Sequence, residues 1–450
     1  MAQGVEHPDH ARVVLSARGD DPRAILLMTD LLQRADRRAE AAALLDRLAA
    51  RERNRDRLHD IYLRKAKLLA DVPGAEATAL EAVERAAAIN PGNRETISLL
   101  VDQLNRTGQS ARVASYLQPI RSALVSNVGR GAVSLRDLGL LATVSRRAQP
   151  SLARMASAIL QAMEPSPTTA STDPQPSLTP AGLRKVLDNP ALRVTLYSAG
   201  EPPLLHSLLQ SLDGVVGRLS REFPVVNNTD AVPLPSGTDV AHLTAFAERC
   251  ATLVGAPAPK LGATASPGAV VYLVEPEPTL RLGAGLWSQG DPTALEGLVA
   301  MAMARQALGA PRARALSPMA MDLLLAAAFE AVEVFNPMTA DPDPRRLKEL
   351  ASHLTKALPP RQRKALERQC QGLANHAFDA TARAIQSTDL HVAALLCGAP
   401  GPVLAGACLL DGAGGGGLKQ RINRSRTAQE LLAHLLSDAF LQAQAQALEP

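Results

Sequence analysis

Aromatic residues are scarce in this chain: Phe, Tyr and Trp make up 2% of its 450 residues. Hydrophobic residues still reach 46%, so the core must be built from Ala, Leu and Val, which suits closely packed helices. The shortage also argues against nucleic-acid binding, which calls for a basic stripe with interleaved stacking aromatics. Net charge is only +4, and the Arg-rich stretches at 51–57 and 361–368 read as solvated helix faces. The four cysteines, Cys250, Cys370, Cys397 and Cys408, form no C-x-x-C pair. Neither a zinc knuckle nor a dithiol redox site is expected, and their apolar neighbours predict buried, reduced thiols. No basic segment followed by an apolar one opens the chain, so no secretory signal and a cytoplasmic location are expected. The uncharged run 392–410 approaches a membrane-spanning length, yet Gly398, Pro400, Gly401 and Pro402 interrupt it. Two core helices joined by a turn, and no membrane span, are the expectation.

What is present is periodicity. Length predicts two or three domains. Apolar anchors at helical spacing recur as Ile25/Met28/Leu32, Leu63/Ala66/Ala70 and Ile97/Leu100/Leu104. A second series runs Ala41/Leu45/Leu48, Ala79/Val83/Ala86 and Val113/Leu117/Ile120. Both series advance by 38 and then by 34 residues. In ATALEAVERAAAINPGN, residues 77–93, small Ala79 and Ala86 permit close helix approach, Val83 fills the gap and Pro91 ends the helix. This pattern resembles the tetratricopeptide (TPR) repeat, with its period of ~34 residues; Lys67 departs from it, where a small glycine is usual. The rival is an ordinary amphipathic bundle. A further helix pair over 134–163 keeps the periodicity but not the spacing, as a capping pair would.

Residues 164–180, EPSPTTASTDPQPSLTP, read as an extended linker between the helical array of 1–163 and a second domain of 181–450. The fold expected is mainly α, with a helical-hairpin array followed by an α+β domain carrying a small sheet. In the second domain 204–223 and 240–253 have helical spacing, the latter ending at Gly255. Residues 269–274 (AVVYLV) and 279–282 are strand candidates, 287–291 is a turn, and 292–308 is a long apolar helix capped by Asp291.

Strand, strand, turn and buried helix in that order resemble the CAAX-prenyl-protease-like zinc metallopeptidases. Their buried helix carries H-E-x-x-H, with a glutamate ligand four residues before an aspartate on a later helix. Here the aligned segment is Met301-Ala302-Met303-Ala304-Arg305, and in AIQSTDLHVA Asp389 matches the aspartate while Ile385 takes the ligand position. Methionine, arginine and isoleucine side chains at these places do not hold Zn²⁺ as imidazole and carboxylate do. The resemblance therefore implies an emptied, inactive site at Met301, Ala302, Arg305 and Ile385. The combination with repeats is similar to large TPR proteins of the myxobacterial type.

No other chemistry stands out. His353, His376 and His391 are unpaired along their helices, His7 and His10 lie in a Pro-containing terminus, and Asp389 and His391 point apart at i,i+2. There is no G-x-S-x-G. The glycines of 412–417 lack a following Gly-Lys-Ser/Thr, and Asp341/Asp343 read as a helix-starting turn. No cofactor is expected. The reading is a non-catalytic interaction protein whose groove residues Arg64, Lys67, Gln103 and Arg106 would favour acidic peptide segments. The alternatives are a hydrolase with relocated ligands and a structural module of an envelope or motility assembly.

Overall fold

The computed structural model describes residues 21–146, 149–164, 178–219, 231–234, 240–273, 277–335 and 343–448. Most of the expected linker, His7, His10 and Asp341 lie outside them. The protein is mainly helical with one small sheet. It divides into two compact units, Met1–Leu124 with Ser134–Ser157, and Val125–Val133 with Ala158–Pro450.

The helices of the first unit, of which α6 and α8 run on into the second, are α1 Pro22–Arg34, α2 Arg38–Ala49, α3 Arg55–Leu69, α4 Glu76–Ile89, α5 Arg94–Arg106, α6 Val113–Val128, α7 Leu135–Val144 and α8 Pro150–Met163. Their starts follow from side chains able to satisfy free backbone donors: Asp21, Asn54, Asn93 and Ser134 each accept from an N–H in the first turn. Consecutive helices among α1–α5 pack on one another, and short connections make them hairpins. Every anchor of the two periodic series is buried except Ala70, which sits half-buried at the end of α3. Alternate helices are also tied sideways. Arg64 on α3 pairs with Asp30 on α1, and His59 Nε2 meets Thr96 Oγ1 of α5 at 2.8 Å.

The second unit contains α9 Pro180–Asp188, α10 Pro190–Leu196, α11 Pro203–Arg218, α12 Ala241–Val254, α13 Ala284–Gln289, α14 Pro292–Ala307, α15 Pro318–Ala331, α16 Pro344–Ala357, α17 Pro360–Leu373, α18 Thr381–Cys397, α19 Pro400–Leu410, α20 Leu418–Arg424, α21 Arg426–Leu435 and α22 Asp438–Leu448. Its strands are β1 Ala231–Val232, β2 Lys260–Thr264, β3 Val270–Leu273 and β4 Thr279–Gly283, in the order β1-β2-β4-β3. β2 and β4 are parallel, and the two outer pairs are antiparallel. β3 falls within the strand candidate 269–274, of which Val274 lies outside the described residues, and β4 covers the candidate 279–282 and adds Gly283. β2 (KLGAT) carries Gly262 and no apolar alternation, so the sequence reading passed over it. The expected turn at 287–291 is partly helical, since α13 runs to Gln289, and Trp287 Nε1 donates to the Gly262 carbonyl at 3.1 Å.

α14 is the centre of this unit. Every residue from 297 to 305 is buried, so it is enclosed on all sides. Asp291 caps it by accepting from Ala294 N at 2.7 Å. It crosses α19 backbone to backbone: a Cβ on Gly297 would stand 2.1 Å from the Pro402 carbonyl. The apolar run 392–410 breaks at Gly398, with φ 69°, followed by α19. Among the described residues no helix is long and apolar enough to cross a membrane.

Candidate functional site

The buried polar residues of the second unit converge. Arg305, in the last turn of α14, donates Nε to Asp389 Oδ2 of α18 at 2.7 Å and Nη1 to the Val270 carbonyl of β3. Arg314 approaches the same carboxylate from the other side, Nε to Oδ1 at 2.5 Å. Its Nη1 and Nη2 grip both oxygens of Glu201 at 2.5 and 2.9 Å, Nη2 also reaches the Ile385 carbonyl at 3.1 Å, and Nη1 stands 3.4 Å from His206 Nδ1. Four of the five guanidinium hydrogens thus have a carboxylate or carbonyl acceptor. Two cations and two carboxylates form a neutral, closed quartet in which the Arg314, Glu201 and Asp389 side chains have no exposed surface.

Local structure places each member. Arg314 lies on a 3-10 turn, Ala313–Ala315, whose preceding backbone donors are held by Asp213 of α11 through Arg312 N at 2.6 Å and Ala313 N at 2.8 Å. Glu201 sits in the turn before α11, and Thr388 Oγ1 accepts from Ser198 N at 2.9 Å, fixing that turn to α18. Burial pushes the Glu201 carboxyl up, but Arg314 and the hydrogen bonds of His206, Arg314 and Thr388 outweigh it and hold it below the ordinary value. The guanidinium of Arg314 is driven in the charged direction by Asp389 and Glu201, against the burial that opposes it.

Beside the quartet, His391 and His434 stack with ring centroids 3.4 Å apart. His391 Nδ1–H donates to the Leu196 carbonyl at 2.8 Å. Burial brings its pKa down to about 4, and burial together with His391 brings that of His434 to about 2. Both rings are neutral at ordinary pH. Burial also pushes the thiols of Cys250, Cys370 and Cys408 up to about 12 and that of Cys397 upward, so none offers a ready thiolate. Among the described residues no three His, Cys, Asp or Glu side chains gather in a way that would hold a metal ion.

The four positions aligned with the metallopeptidase motif are all interior. Arg305 joins Asp389 directly, Ile385 contributes only its carbonyl, and Met301 and Ala302 are packed in α14. Sequence reasoning missed Arg314, Glu201 and His206. The one signal available was an isolated charge, Glu201, interrupting a largely apolar stretch.

The four groove candidates fare differently from the expectation. Gln103 is fully buried and its amide has no hydrogen-bond partner, so it lies inside the helical unit and offers no surface. It shares the buried face of α5 with Thr96, Ile97, Leu100 and Leu104, three residues after Leu100. Arg64 pairs with Asp30, Lys67 with Glu95 at 2.5 Å, and Arg106 with Asp71 at 2.9 Å and the Ala70 carbonyl at 2.6 Å. These three remain partly exposed but already have anionic partners, Asp30 on α1, Glu95 on α5 and Asp71 in the turn after α3.

Compared with family models, with curated proteins and with solved structures, the chain gives no match. The class that the coordinates define is a mainly helical protein with a small mixed sheet.

Proposed function

We propose that the protein is a non-catalytic scaffold, whose TPR-like first unit binds acidic segments of a partner protein and whose second unit descends from a metallopeptidase-like fold with its reactive centre filled. The observation that carries the second half is the closed quartet. The position aligned with a metal-binding histidine holds Arg305, which spends its charge on Asp389. A guanidinium and a carboxylate bonded to each other in this way act as structural groups, and in this reading neither serves as a free base, nucleophile or metal ligand.

The first half is supported by the sideways ties between alternate helices, as in stacked repeats. Exposed ion pairs are worth roughly 0–1 kcal/mol, so an acidic peptide could take Lys67 and Arg106 from Glu95 and Asp71 at little cost. The test is capture on an Asp/Glu-rich peptide column, with neutral Lys67→Gln/Arg106→Gln as the comparison. Retention lost with an unchanged melting curve supports the groove; equal retention of both proteins removes it. For the second unit, elemental mass spectrometry of untagged protein decides: about one zinc per chain, with chelator-sensitive proteolysis, would replace this reading with a hydrolase.

A further inference from the structure

The charge of this protein is not spread evenly. Residues 344–373, which form α16 and α17, hold eight Lys and Arg against Glu349 and Glu367, a net +6. The whole chain is +4, so the remaining 420 residues together carry −2. Both helices bury one stripe, Leu350 and Leu354 on α16 and Leu366, Cys370 and Leu373 on α17, in the same core with α11 and α15. Their opposite faces carry the cations at helical spacing: Arg345, Lys348 and Lys356 on α16, and Arg361, Lys364 and Arg368 on α17, all exposed. The side chains of Arg345, Lys348, Lys356, Arg361 and Lys364 have no acidic partner among the described residues. Unlike Arg64, Lys67 and Arg106 of the first unit, these are left to solvent.

A large apolar side chain follows α15 close in sequence. Thr355 Oγ1 donates to the Ala331 carbonyl at 3.4 Å, and the Thr355 carbonyl accepts from Arg363 Nη2 at 2.7 Å. The ends of α15 and α16 and the start of α17 therefore meet at one point. Phe335 lies four residues beyond Ala331, at most about 14 Å of chain away, and is 78% exposed.

We infer that the α16–α17 face docks on an anionic lipid bilayer, with the two cationic stripes against the headgroups and Phe335 entering the interface. Two helices of 14 residues present a surface roughly 20 Å long, and cations on such a surface add their attraction to an anionic leaflet while an aromatic ring supplies the second, apolar signal. A nucleic acid fits less well. Residues 344–373 contain no Phe, Tyr or Trp on which a base could stack, and neither helix projects alone to enter a groove.

The experiment is co-sedimentation of the full chain with phosphatidylglycerol-rich vesicles, pure phosphatidylcholine vesicles and a fluorescent DNA duplex. The proposal expects binding to the anionic vesicles alone, weakened by salt. Lys348→Glu/Lys356→Glu/Arg361→Glu/Lys364→Glu should lower it by at least about tenfold, and Phe335→Ser by a smaller factor that added salt does not abolish. Because these side chains are exposed, an unchanged melting curve shows that each variant is folded. No sedimentation with anionic vesicles at low salt overturns the proposal. So does equal binding of the charge-reversed variant, or tighter binding to the duplex with no effect of Phe335→Ser.

Discussion

The two units use the same pair of groups, a guanidinium or ammonium and a carboxylate, in opposite environments. In the first unit Lys67–Glu95 and Arg106–Asp71 lie at the surface, with side chains roughly half exposed. In the second, Arg314 is locked between Glu201 and Asp389 with no exposure at all. Water screens the first kind, so each pair adds little and can be exchanged for another partner. Burial makes the second kind obligatory: the pair adds little net stability over an apolar replacement of the whole set, but removing one member leaves a charge stranded. The difference separates a surface that can trade partners from a centre that cannot.

The sharpest way to break this contrast is Arg314→Met. It would strand Glu201 and Asp389 beside the single cation Arg305, and a loss of about 3–5 kcal/mol is expected, read as a lower midpoint in urea or as failure to fold. Because the latter says little by itself, the triple change Arg314→Met/Glu201→Gln/Asp389→Asn belongs beside it. Removing the stranded charges should recover part of the loss. A single variant as stable as the parent would show that the quartet is not held as a unit. Arg305→Met should cost less, about 1–3 kcal/mol, because Arg314 still covers Asp389.

The histidine stack sharpens the same point through pH. The folded protein refuses a proton at His391 until about pH 4, whereas the unfolded chain takes one near 6.5. Stability from this group is complete above 6.5 and is lost as pH falls toward 4, at about 1.4 kcal/mol per pH unit. His434 acts in the same direction and extends the loss to lower pH. Glu201 has its pKa lowered by folding and adds a further loss only below its unfolded value of 4.5. Urea midpoints across this range should therefore decline, and His391→Asn, whose amide can still donate to Leu196, should flatten the decline. A profile that His391→Asn leaves unchanged would assign the slope elsewhere.

How much of this was legible in the sequence depended on the range of the interaction. Local rules worked where structure is local. The apolar anchors marked the buried helix faces, Asp291 capped α14, Gly255 ended α12, and Gly398 with Pro400 broke the apolar run. The quartet was hidden because its bonds join positions 113 and 75 residues apart. β2 was hidden because its parallel pairing with β4, and not its own pattern, makes it a strand. Arg305 and Asp389 were singled out through the resemblance, and their bond to each other was not foreseen. In the first unit periodicity located the helix faces but not the acids waiting opposite Arg64, Lys67 and Arg106. It also put Gln103, seven residues after the buried Thr96 and on the same helix face, at the surface.

The smallest expected effect tests the exposed side of the comparison. Lys67→Gln and Arg106→Gln should each shift stability by less than about 1 kcal/mol, because Glu95 and Asp71 remain solvated when their partners leave. Arg106 should be the costlier of the two, since its Nη1 also binds the Ala70 carbonyl at the end of α3. Moderate salt should reduce both differences, as it screens exposed charges and leaves the quartet almost untouched. Denaturation of each variant at low and high salt, beside Arg305→Met, reads this directly. A salt-insensitive loss of several kcal/mol at Lys67 would mean that the surface pairs hold the helices as firmly as the interior does, and an acidic partner could not then displace them.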